Sequence, residues 1–476
     1  MNFPTPTGIV AAGAYLPFYR LERAALSGAK ARGHRTVASY DEDTTSMGVE
    51  AGRRALSDYT GPPIRQLLFA TSMPAYADKT NATAVHAALG LSRSCGAYDM
   101  VGAVRCGIGA YRAASAAAMA GTTTMAVFSD IRTGLPGSVD ERTGGDGAAS
   151  IVWASEGPFL AELVGCSATS AEFLDRWRVP GEPRSRVWEE RFGEAIYTTV
   201  AELALADALK EFGVVPDDID HFIVTGTHPR AVNAIARRSG IKADRVVDDR
   251  SSTVGNTGTS HSALLLIDVL ERAQPGELIA LLVLADGADC LLLRAGDALA
   301  TRRPAPTVSS QLAGKPVAYQ DFLVWRDMLR MEPPRRPDPD RPASPPSQRN
   351  TMWKFGFFVA CCANCGTRHL PPARVCLRCH AVDQMESEPL SDIQGTITTF
   401  AVDNLAFSVA PPAVAAVVDF YGGGRLQCQL TDCDPDVVQV GDRVKLTFRR
   451  LYTTADGVHN YFWKARPMRD EEDRSP

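Results

Sequence analysis

Four cysteines in the C-terminal part of the chain have the spacing of a metal site. They form two Cys-x-x-Cys pairs with ten residues between the pairs: Cys362, Cys365, Cys376 and Cys379. Two such pairs can surround one Zn²⁺ with a tetrahedral set of thiolates. Because four protein ligands leave no open coordination position, the sequence predicts a structural zinc rather than a catalytic one. Cys361 and His380 flank the pairs and remain alternative ligands.

The composition limits the kinds of protein to consider. The chain has 476 residues, 45% of them hydrophobic, and a formal net charge of −5. The length favours two or three domains, and the charge balance argues against a dedicated nucleic-acid or membrane-surface protein. We recognise no signal peptide and no apolar run long enough for a membrane helix. Eleven cysteines, four of them in the metal motif, suit a reducing compartment, so we expect a cytoplasmic protein.

The chain up to residue 316 alternates between strand and helix patterns. Ile219–Thr225 and Arg245–Asp249 are predicted strands, and Thr259–Arg272 is a predicted helix. The same order occurs earlier, which indicates a duplicated, layered α/β fold. We place the first half of this fold at residues 1–155 and the second at residues 156–316.

The remaining chain has a different composition. Residues 331–349 contain seven prolines and predict an extended linker. Before it, Tyr319–Arg330 is predicted to be a docking helix or an ordinary surface helix, so residues 317–354 form a helix-and-linker segment. A zinc ribbon is expected at residues 355–390 and a five-stranded OB barrel at residues 391–470. The predicted barrel strands are Gly395–Val402, Ala413–Phe420, Arg425–Leu430, Arg443–Arg450 and His459–Ala465.

Four stretches before residue 300 carry glycine-rich turns and a small-residue helix: Tyr40–Ala51, Asp99–Gly121, Gly144–Ala149 and Val254–Ser260. In this order they resemble the thiolase superfamily, specifically hydroxymethylglutaryl-CoA synthase and β-ketoacyl carrier protein synthase III. The resemblance implies a thiolase-like α-β-α-β-α fold, a coenzyme A thioester as substrate and a homodimer. The C-terminal part resembles the zinc-ribbon and OB-fold modules that accompany thiolase-like enzymes, as partner chains or as fusions. A thiolase partner therefore remains open.

Two catalytic residues of the resembled family are replaced. Placing Gly107 and Gly121 on the family pattern puts its nucleophilic cysteine at Val104, and a valine cannot form a thioester. The family's general acid/base glutamate falls at Ser72. Cys106 lies two residues beyond Val104, about 200° around a helix, so we expect it to face away from the pocket as a structural cysteine. Its use as the nucleophile is the alternative.

Other parts of the family's site are retained. The resemblance implies that His228 and Asn256 bind the thioester carbonyl or an enolate. The alternatives are a histidine that caps the next helix and an asparagine chosen for its turn conformation. Together with Val104, the turn glycines Gly147 and Gly255 are expected to line the substrate site.

This combination predicts the type of reaction. Without a nucleophile, acyl transfer through a covalent intermediate is not expected, whereas a site for an enolate suits aldol or retro-aldol chemistry on a 3-hydroxyacyl-CoA. Thiolase-like aldolases that lack the cysteine imply a tyrosine base. The candidates are Tyr197 and Tyr76, each with a packing role as the alternative, and Ser72 is expected to donate a hydrogen bond.

Three other functions were weighed from the residues. One is a non-catalytic acyl-CoA-binding scaffold that channels substrate to a partner thiolase, and another is a condensing acyltransferase that depends on Cys106. The third is a nucleic-acid module, which needs a basic groove with stacking aromatics. Acidic residues among the barrel strands disfavour it, namely Asp419, Asp432, Asp434, Asp436 and Asp442.

Overall fold

The computed structural model describes residues 5–28, 30–182, 184–332, 334–338, 341 and 349–469. The chain divides into two compact units. Unit 1 contains Met1–Ala38, Glu50–Thr83 and Ser92–Val317, and unit 2 contains Ser39–Val49, Ala84–Leu91 and Ala318–Pro476. Two short segments from the N-terminal part of the chain therefore belong to unit 2.

The strands before residue 318 are β1 (Gly8–Tyr15), β2 (Tyr19–Glu22), β3 (His34–Val37), β4 (Gln66–Thr71), β5 (Gly96–Val101), β6 (Thr124–Ile131), β7 (Asp146–Ala154), β8 (Ala161–Ser170), β9 (Arg176–Trp177), β10 (Arg186–Val187), β11 (His221–Gly226), β12 (Leu278–Leu284), β13 (Gly287–Ala295) and β14 (Lys315–Pro316). The helices are α1 (Arg23–Ser27), α2 (Thr44–Leu56), α3 (Ala82–Ala88), α4 (Cys106–Met119), α5 (Val139–Thr143), α6 (Glu190–Phe212), α7 (Pro229–Arg238) and α8 (His261–Leu270).

Unit 1 is built on a nine-stranded sheet in the order β11-β12-β13-β8-β1-β7-β6-β4-β5. β4 pairs in parallel with β5 and β6, and β11 in parallel with β12, while the other neighbours are antiparallel. All seven residues of β12 are buried. An uninterrupted apolar strand of this kind is typical of a sheet that is covered on both faces.

Helices cover the two faces of this sheet. Alternate residues of β12 belong to two different apolar clusters, Ile279 and Leu281 to one and Ala280 and Leu282 to the other. The first cluster contains residues of α4 and α8, and the second contains residues of α6 and α7. Because successive side chains of a strand point to opposite faces, the sheet lies between two helical layers. The predicted layered α/β fold is confirmed.

Unit 2 contains a small ribbon and a barrel. Its elements are α9 (Tyr319–Trp325), α10 (Thr351–Lys354), β15 (Phe358–Cys362), β16 (Arg368–His369), β17 (Met385–Pro389), β18 (Gly395–Asp403), β19 (Ala413–Phe420), β20 (Arg425–Gln429), β21 (Arg443–Thr453) and β22 (His459–Pro467). The ribbon sheet has the order β16-β15-β17, and the barrel sheet has the order β20-β19-β18-β21-β22. A bridge from Leu430 to Ala465 joins the two outer strands and closes the barrel.

The helix before the linker is shorter than predicted. It ends at Trp325, and Asp327 follows with a φ of 55°, a left-handed conformation that a helix cannot continue through. Of the predicted linker, residues 333, 339–340 and 342–348 lie outside the described residues. Within the described part of the chain, we find no helix whose length and apolar character would let it span a membrane.

Candidate functional site

A cavity of about 240 Å³ opens in unit 1 where β11 ends and α7 begins. Its lining also includes the turn before α8 and the segment after β6. Charged side chains are prominent in this lining: Arg23, Arg132, Asp140, Arg176 and Asp249. A concave site with converging polar groups is the usual form of a small-molecule site, so this cavity is the candidate functional site.

Asn256 lines this cavity and also a second, smaller one of about 10 Å³. Its Nδ2 donates to the Gly226 carbonyl, and its Oδ1 accepts from the Gly258 backbone N–H, each at 2.9 Å. The preceding Gly255 has a φ of 84°, and a Cβ there would lie 2.3 Å from the Gly144 carbonyl oxygen. The turn therefore needs glycine, and it fixes the Asn256 amide with one Nδ2 hydrogen still available.

Val104 lines the small cavity together with Asn256 and Thr259. It lies just before α4, whereas Cys106 is the first residue of that helix and is not part of either lining. The Cys106 Sγ lies 3.7 Å from the Thr71 carbonyl oxygen. Burial, followed by the nearby Asp130 carboxylate, raises the pKa of the Cys106 thiol far above its usual value. This environment favours the neutral thiol over the nucleophilic thiolate.

Ser72 lies at the end of β4 and is bound to Asp130. The backbone N–H of Ser72 donates to Asp130 Oδ1 at 2.7 Å, and its hydroxyl donates to Oδ2 at 2.9 Å. Thr71 and Thr259 donate to the same carboxylate, from a hydroxyl at 3.0 Å and a backbone N–H at 2.8 Å. Ser72 therefore donates the expected hydrogen bond, but it donates to a protein carboxylate.

His228 caps α7. Its Nε2 lies 2.8 Å from the Glu190 carbonyl oxygen and must donate to it, while Nδ1 accepts from the Ala231 backbone N–H at 3.2 Å. Both ring nitrogens are thus occupied in a neutral imidazole, and the ring is not part of the lining of either cavity. The structure places His228 at the helix-capping position that the sequence left as the alternative, and contact with a thioester carbonyl stays a prediction.

The two candidate tyrosines also lie outside both linings. Tyr197 is 1% exposed and packs edge-on against Phe173, with ring centroids 4.9 Å apart. Its hydroxyl accepts the Asp286 backbone N–H at 3.3 Å, and burial raises its pKa. The Tyr76 backbone N–H donates to Asn81. The contacts of Tyr197 fit the packing role that was the alternative to catalysis. None of these contacts places the hydroxyl group of Tyr197 or Tyr76 at the cavity as a base.

The turn glycine Gly147 has a close-packing role. A Cβ at this position would lie 3.2 Å from a Leu264 methyl group and 3.3 Å from the Thr257 methyl group. Gly147 is buried in β7 and is not part of the lining of either cavity. It lets α8 and the preceding turn approach the sheet, and thereby supports the site from behind.

Sequence reasoning missed His261 and all five charged residues of the larger cavity, Arg132 among them. His261 is buried, and its Nδ1 accepts the Thr257 backbone N–H at 3.3 Å. Burial lowers its pKa to about 4, although the nearby Asp249 acts to raise it. His261 could have been predicted from the sequence, because it lies five residues after Asn256 at the start of a predicted helix. Arg132 follows the strand β6 and lies beside Ser72, with Nη1 at 3.4 Å from the hydroxyl.

The four cysteines of the ribbon form one cluster in unit 2. Their sulfur atoms all lie within 4.8 Å of one another, with Cys362 to Cys379 at 3.6 Å and Cys365 to Cys376 at 3.5 Å. Zinc–sulfur bonds of about 2.3 Å in a tetrahedron separate the sulfurs by about 3.8 Å, so the spacing fits. The Thr367 hydroxyl lowers the pKa of Cys365 to about 6, which favours the thiolate. Cys361 and His380 lie outside this cluster.

Comparison with known proteins agrees with this architecture. Residues 209–294 match the family model of the 3-oxoacyl-[acyl-carrier-protein] synthase III C-terminal region, and residues 387–449 match that of the C-terminal OB-fold domain of ChsH2. The hydroxymethylglutaryl-CoA synthase of Pyrococcus horikoshii is 28% identical over 337 residues, which cover 68% of this chain and 96% of that protein.

Two solved structures share the fold of unit 1. The 3-oxoacyl-(acyl carrier protein) synthase III of Pseudomonas aeruginosa PAO1 gives a TM-score of 0.54 at 20% identity, covering 61% of this chain and 99% of that one. An HMG-CoA synthase complexed with CoA gives a TM-score of 0.56 at 17% identity, covering 67% of this chain and 89% of that one. The chain is therefore a thiolase-like protein fused to an OB-fold module. Within that class its thiolase-like part is similar in sequence to hydroxymethylglutaryl-CoA synthase.

Proposed function

We propose that the chain binds a coenzyme A thioester and makes or breaks the Cα–Cβ bond of a 3-hydroxyacyl-CoA without a covalent acyl-enzyme. The observation that carries this proposal is the pairing of Val104 with Asn256 in one cavity. Val104 stands where the resembled enzymes have their cysteine, and its side chain has no nucleophilic atom. The position next to it retains an amide donor.

In the cleavage direction, a base removes the proton of the β-hydroxyl group. The Cα–Cβ bond then breaks, a carbonyl group forms on the departing fragment, and the electron pair of the broken bond passes into the thioester enolate. The second Nδ2 hydrogen of Asn256 is available to the enolate oxygen, which suits electrostatic stabilisation of that oxyanion. The enolate takes up a proton to give the shortened acyl-CoA.

Asp249 is the base that we assign, in place of Tyr197 and Tyr76. It lines the larger cavity, and its Oδ1 accepts only a backbone N–H, that of Ser251, at 2.9 Å. No arginine or lysine nitrogen of the described residues lies within 4.0 Å of its carboxylate oxygens. The other lining carboxylate, Asp140, is held in a bidentate ion pair by Arg176. Burial acts to raise the pKa of Asp140, but Arg176 outweighs it and the pKa is lowered, which makes Asp140 the poorer candidate for a base.

Turnover of a 3-hydroxyacyl-CoA by the full-length protein tests this function. We expect a shortened acyl-CoA and a carbonyl product, both measured by liquid chromatography and mass spectrometry. Asp249→Asn should lower the rate at least tenfold, an order of magnitude typical of a lost general base. The neighbouring and more exposed Asp248 supplies the matched control, and Asp248→Asn should retain the wild-type rate.

The second candidate is a scaffold that binds acyl-CoA and channels it to a partner thiolase. The backbone engagement of His228 favours it, because that ring lacks a free nitrogen for catalysis. In this case, the purified chain binds acyl-CoA but produces no shortened product, with or without the Asp249 substitution. That result would exclude the aldol proposal, whereas turnover by the chain alone would exclude the scaffold.

We further propose that Cys362, Cys365, Cys376 and Cys379 hold one Zn²⁺ that stabilises the ribbon. The metal would form four bonds that hold the two Cys-x-x-Cys pairs together. It would supply no catalytic chemistry. Elemental analysis should find about one zinc per chain. Cys376→Ser should lose the metal and Cys361→Ser should keep it. Equal retention in both variants would contradict this ligand set.

The association and location of the chain are also proposals. The edge strand β5 exposes Tyr98 and Val101, at 56% and 47%, and an exposed edge of this kind can pair with a second copy in a homodimer. We propose that homodimer, with a thiolase partner as the alternative, and a cytoplasmic location. We also propose that the chain has five segments, with boundaries after residues 155, 316, 354 and 390. Light scattering of the purified chain measures its mass in solution.

A further inference from the structure

Arg132 is a charged residue of the larger cavity that has no close ion-pair partner among the described residues. No carboxylate oxygen in the described part of the chain lies within 4.0 Å of its guanidinium nitrogens. Its side-chain hydrogen bond is a long one, 3.4 Å from Nη1 to the Ser72 hydroxyl. A guanidinium has five N–H donors, so most of its donors have no protein acceptor here.

The two carboxylates near Arg132, those of Asp130 and Asp140, accept hydrogen bonds from other residues. Asp130 accepts four hydrogen bonds from uncharged donors of Thr71, Ser72 and Thr259. Asp140 forms two hydrogen bonds with Arg176, at 2.7 and 2.6 Å. Burial and the nearby Arg176 and Arg178 act to lower the pKa of Arg132, whereas Asp130 and Asp140 act to raise it. An anion in the cavity would therefore find donors of Arg132 that no carboxylate of the described residues contacts.

The backbone makes room for this arginine. A Cβ on Gly144 would lie 2.9 Å from the Arg132 Cβ, and a Cβ on Gly258 would lie 2.9 Å from the Arg132 Cδ. The two glycine turns of the site therefore leave a channel for the Arg132 side chain. Burial lowers the pKa of Arg132, which means that the fold spends free energy to keep this cation partly out of water. A bound anion would offset that cost.

We propose that Arg132 binds a carboxylate on the acyl chain, so that the ligand of this cavity is a CoA thioester whose acyl group carries a negative charge. This inference rests on the proposed acyl-CoA function. A guanidinium presents a planar pair of N–H groups that matches the two oxygens of a carboxylate. Arg132 shares its cavity with Asn256, which places the charged end of the acyl chain near the proposed reacting carbon.

Two thioesters of equal chain length test this proposal by isothermal titration of the full-length protein. Glutaryl-CoA carries a terminal carboxylate and pentanoyl-CoA does not, whereas the coenzyme A part is identical. The wild type should bind glutaryl-CoA on the order of tenfold more tightly, as one charge-assisted contact predicts. Arg132→Gln should abolish that preference and Arg132→Lys should keep part of it. The matched control Arg112→Gln, at a separate cleft, should keep all of it.

Equal binding of the two thioesters by the wild type would overturn the carboxylate proposal, and so would a preference that survives in Arg132→Gln. If both thioesters bind equally and Arg132→Gln slows turnover, the anion at Arg132 is a transient enolate, which also overturns it. The proposed reaction is tested separately, because a charge preference in binding without any carbon–carbon cleavage would refute the reaction and leave this binding site intact.

Discussion

Ser72 and Asp130 are joined through both the backbone and the side chain of the serine. The Ser72 N–H and hydroxyl each donate to a different oxygen of the buried Asp130 carboxylate, at 2.7 and 2.9 Å. The resemblance predicts a catalytic glutamate at the position of Ser72, and the serine found there anchors a charge. A glutamate at this position would bring a second carboxylate against Asp130.

Removing the Ser72 hydroxyl should destabilise unit 1. Ser72→Ala leaves Asp130 with one fewer donor, and a hydrogen bond to a charged group contributes about 1.5–3 kcal/mol to the free energy of unfolding. Urea denaturation of the full chain measures this loss. Ser94→Ala, at an exposed position, is the control and should change the free energy of unfolding by less than about 0.5 kcal/mol. A neutral effect of Ser72→Ala would mean that the carboxylate does not depend on the serine.

Cys106 should react slowly with iodoacetamide in the folded protein. Its thiol pKa is raised by burial and by Asp130, so the reactive thiolate is scarce at pH 8. Peptide mass spectrometry should find little alkylation of Cys106 in the native chain and full alkylation after unfolding in urea. Fast native labelling, together with loss of acyl transfer in Cys106→Ala, would instead support the condensing acyltransferase.

The elements of this fold were largely readable from local sequence patterns. The strand Ala413–Phe420 was predicted with both of its ends, because it is a β-rich run between two prolines and a group of glycines. In the structure its buried and less buried residues alternate along the barrel wall. The predicted strand Arg245–Asp249 was wrong. Only Val246 forms a bridge there, since the Asp248 and Asp249 carboxylates accept the backbone N–H groups of the residues two positions on and make a turn.

The site was less predictable because it depends on side-chain direction. The turn around Asn256 could be found from its glycines, whose backbone conformation is a local property. The orientation of His228 depends on the Glu190 carbonyl, which lies 38 residues away in the sequence. Arg132 carried no sequence signal either, because nothing local distinguishes an arginine in a cavity from one on the surface.

A buried ion pair joins Lys464, on the barrel strand β22, to Asp41 within unit 2. Their Nζ and Oδ2 atoms are 2.8 Å apart, and the side chains are 2% and 0% exposed. Burial acts to lower the pKa of Lys464, but the Asp41 carboxylate outweighs it and the pKa is raised. Asp41→Asn leaves a buried ammonium without this partner, which should cost about 3–5 kcal/mol of unfolding free energy.

Chemical denaturation of the Asp41→Asn, Lys464→Met and double variants measures this coupling. Because the double variant removes both charges, its loss should be smaller than the sum of the two single losses. An exposed ion pair supplies the comparison, and Asp419→Asn, which breaks the pair with Arg425, should have a far smaller effect. Additive losses at Asp41 and Lys464 would show that the two charges do not depend on each other.

Glu271 should make the folded protein less stable as the pH rises. Burial raises its pKa from 4.5 to about 8, and the nearby Asp268 carboxylate adds to this effect. Below pH 4.5 the group is protonated in both the folded and unfolded chain, so the contribution of the bound proton to stability is fully present. Between pH 4.5 and about 8 the unfolded chain has lost the proton while the folded chain retains it, and this contribution is progressively lost.

Replacing Glu271 by glutamine isolates this contribution, because the amide oxygen can still accept the Val308 backbone N–H that Glu271 Oε1 accepts at 2.8 Å. The free energy of unfolding, measured from pH 5 to pH 8, should fall less steeply in Glu271→Gln than in the wild type. Glu162→Gln, at an exposed position of β8, should follow the wild-type slope. Since all other titrating groups are common to the wild type and Glu271→Gln, parallel curves for these two proteins would mean that Glu271 titrates alike in the folded and unfolded chains.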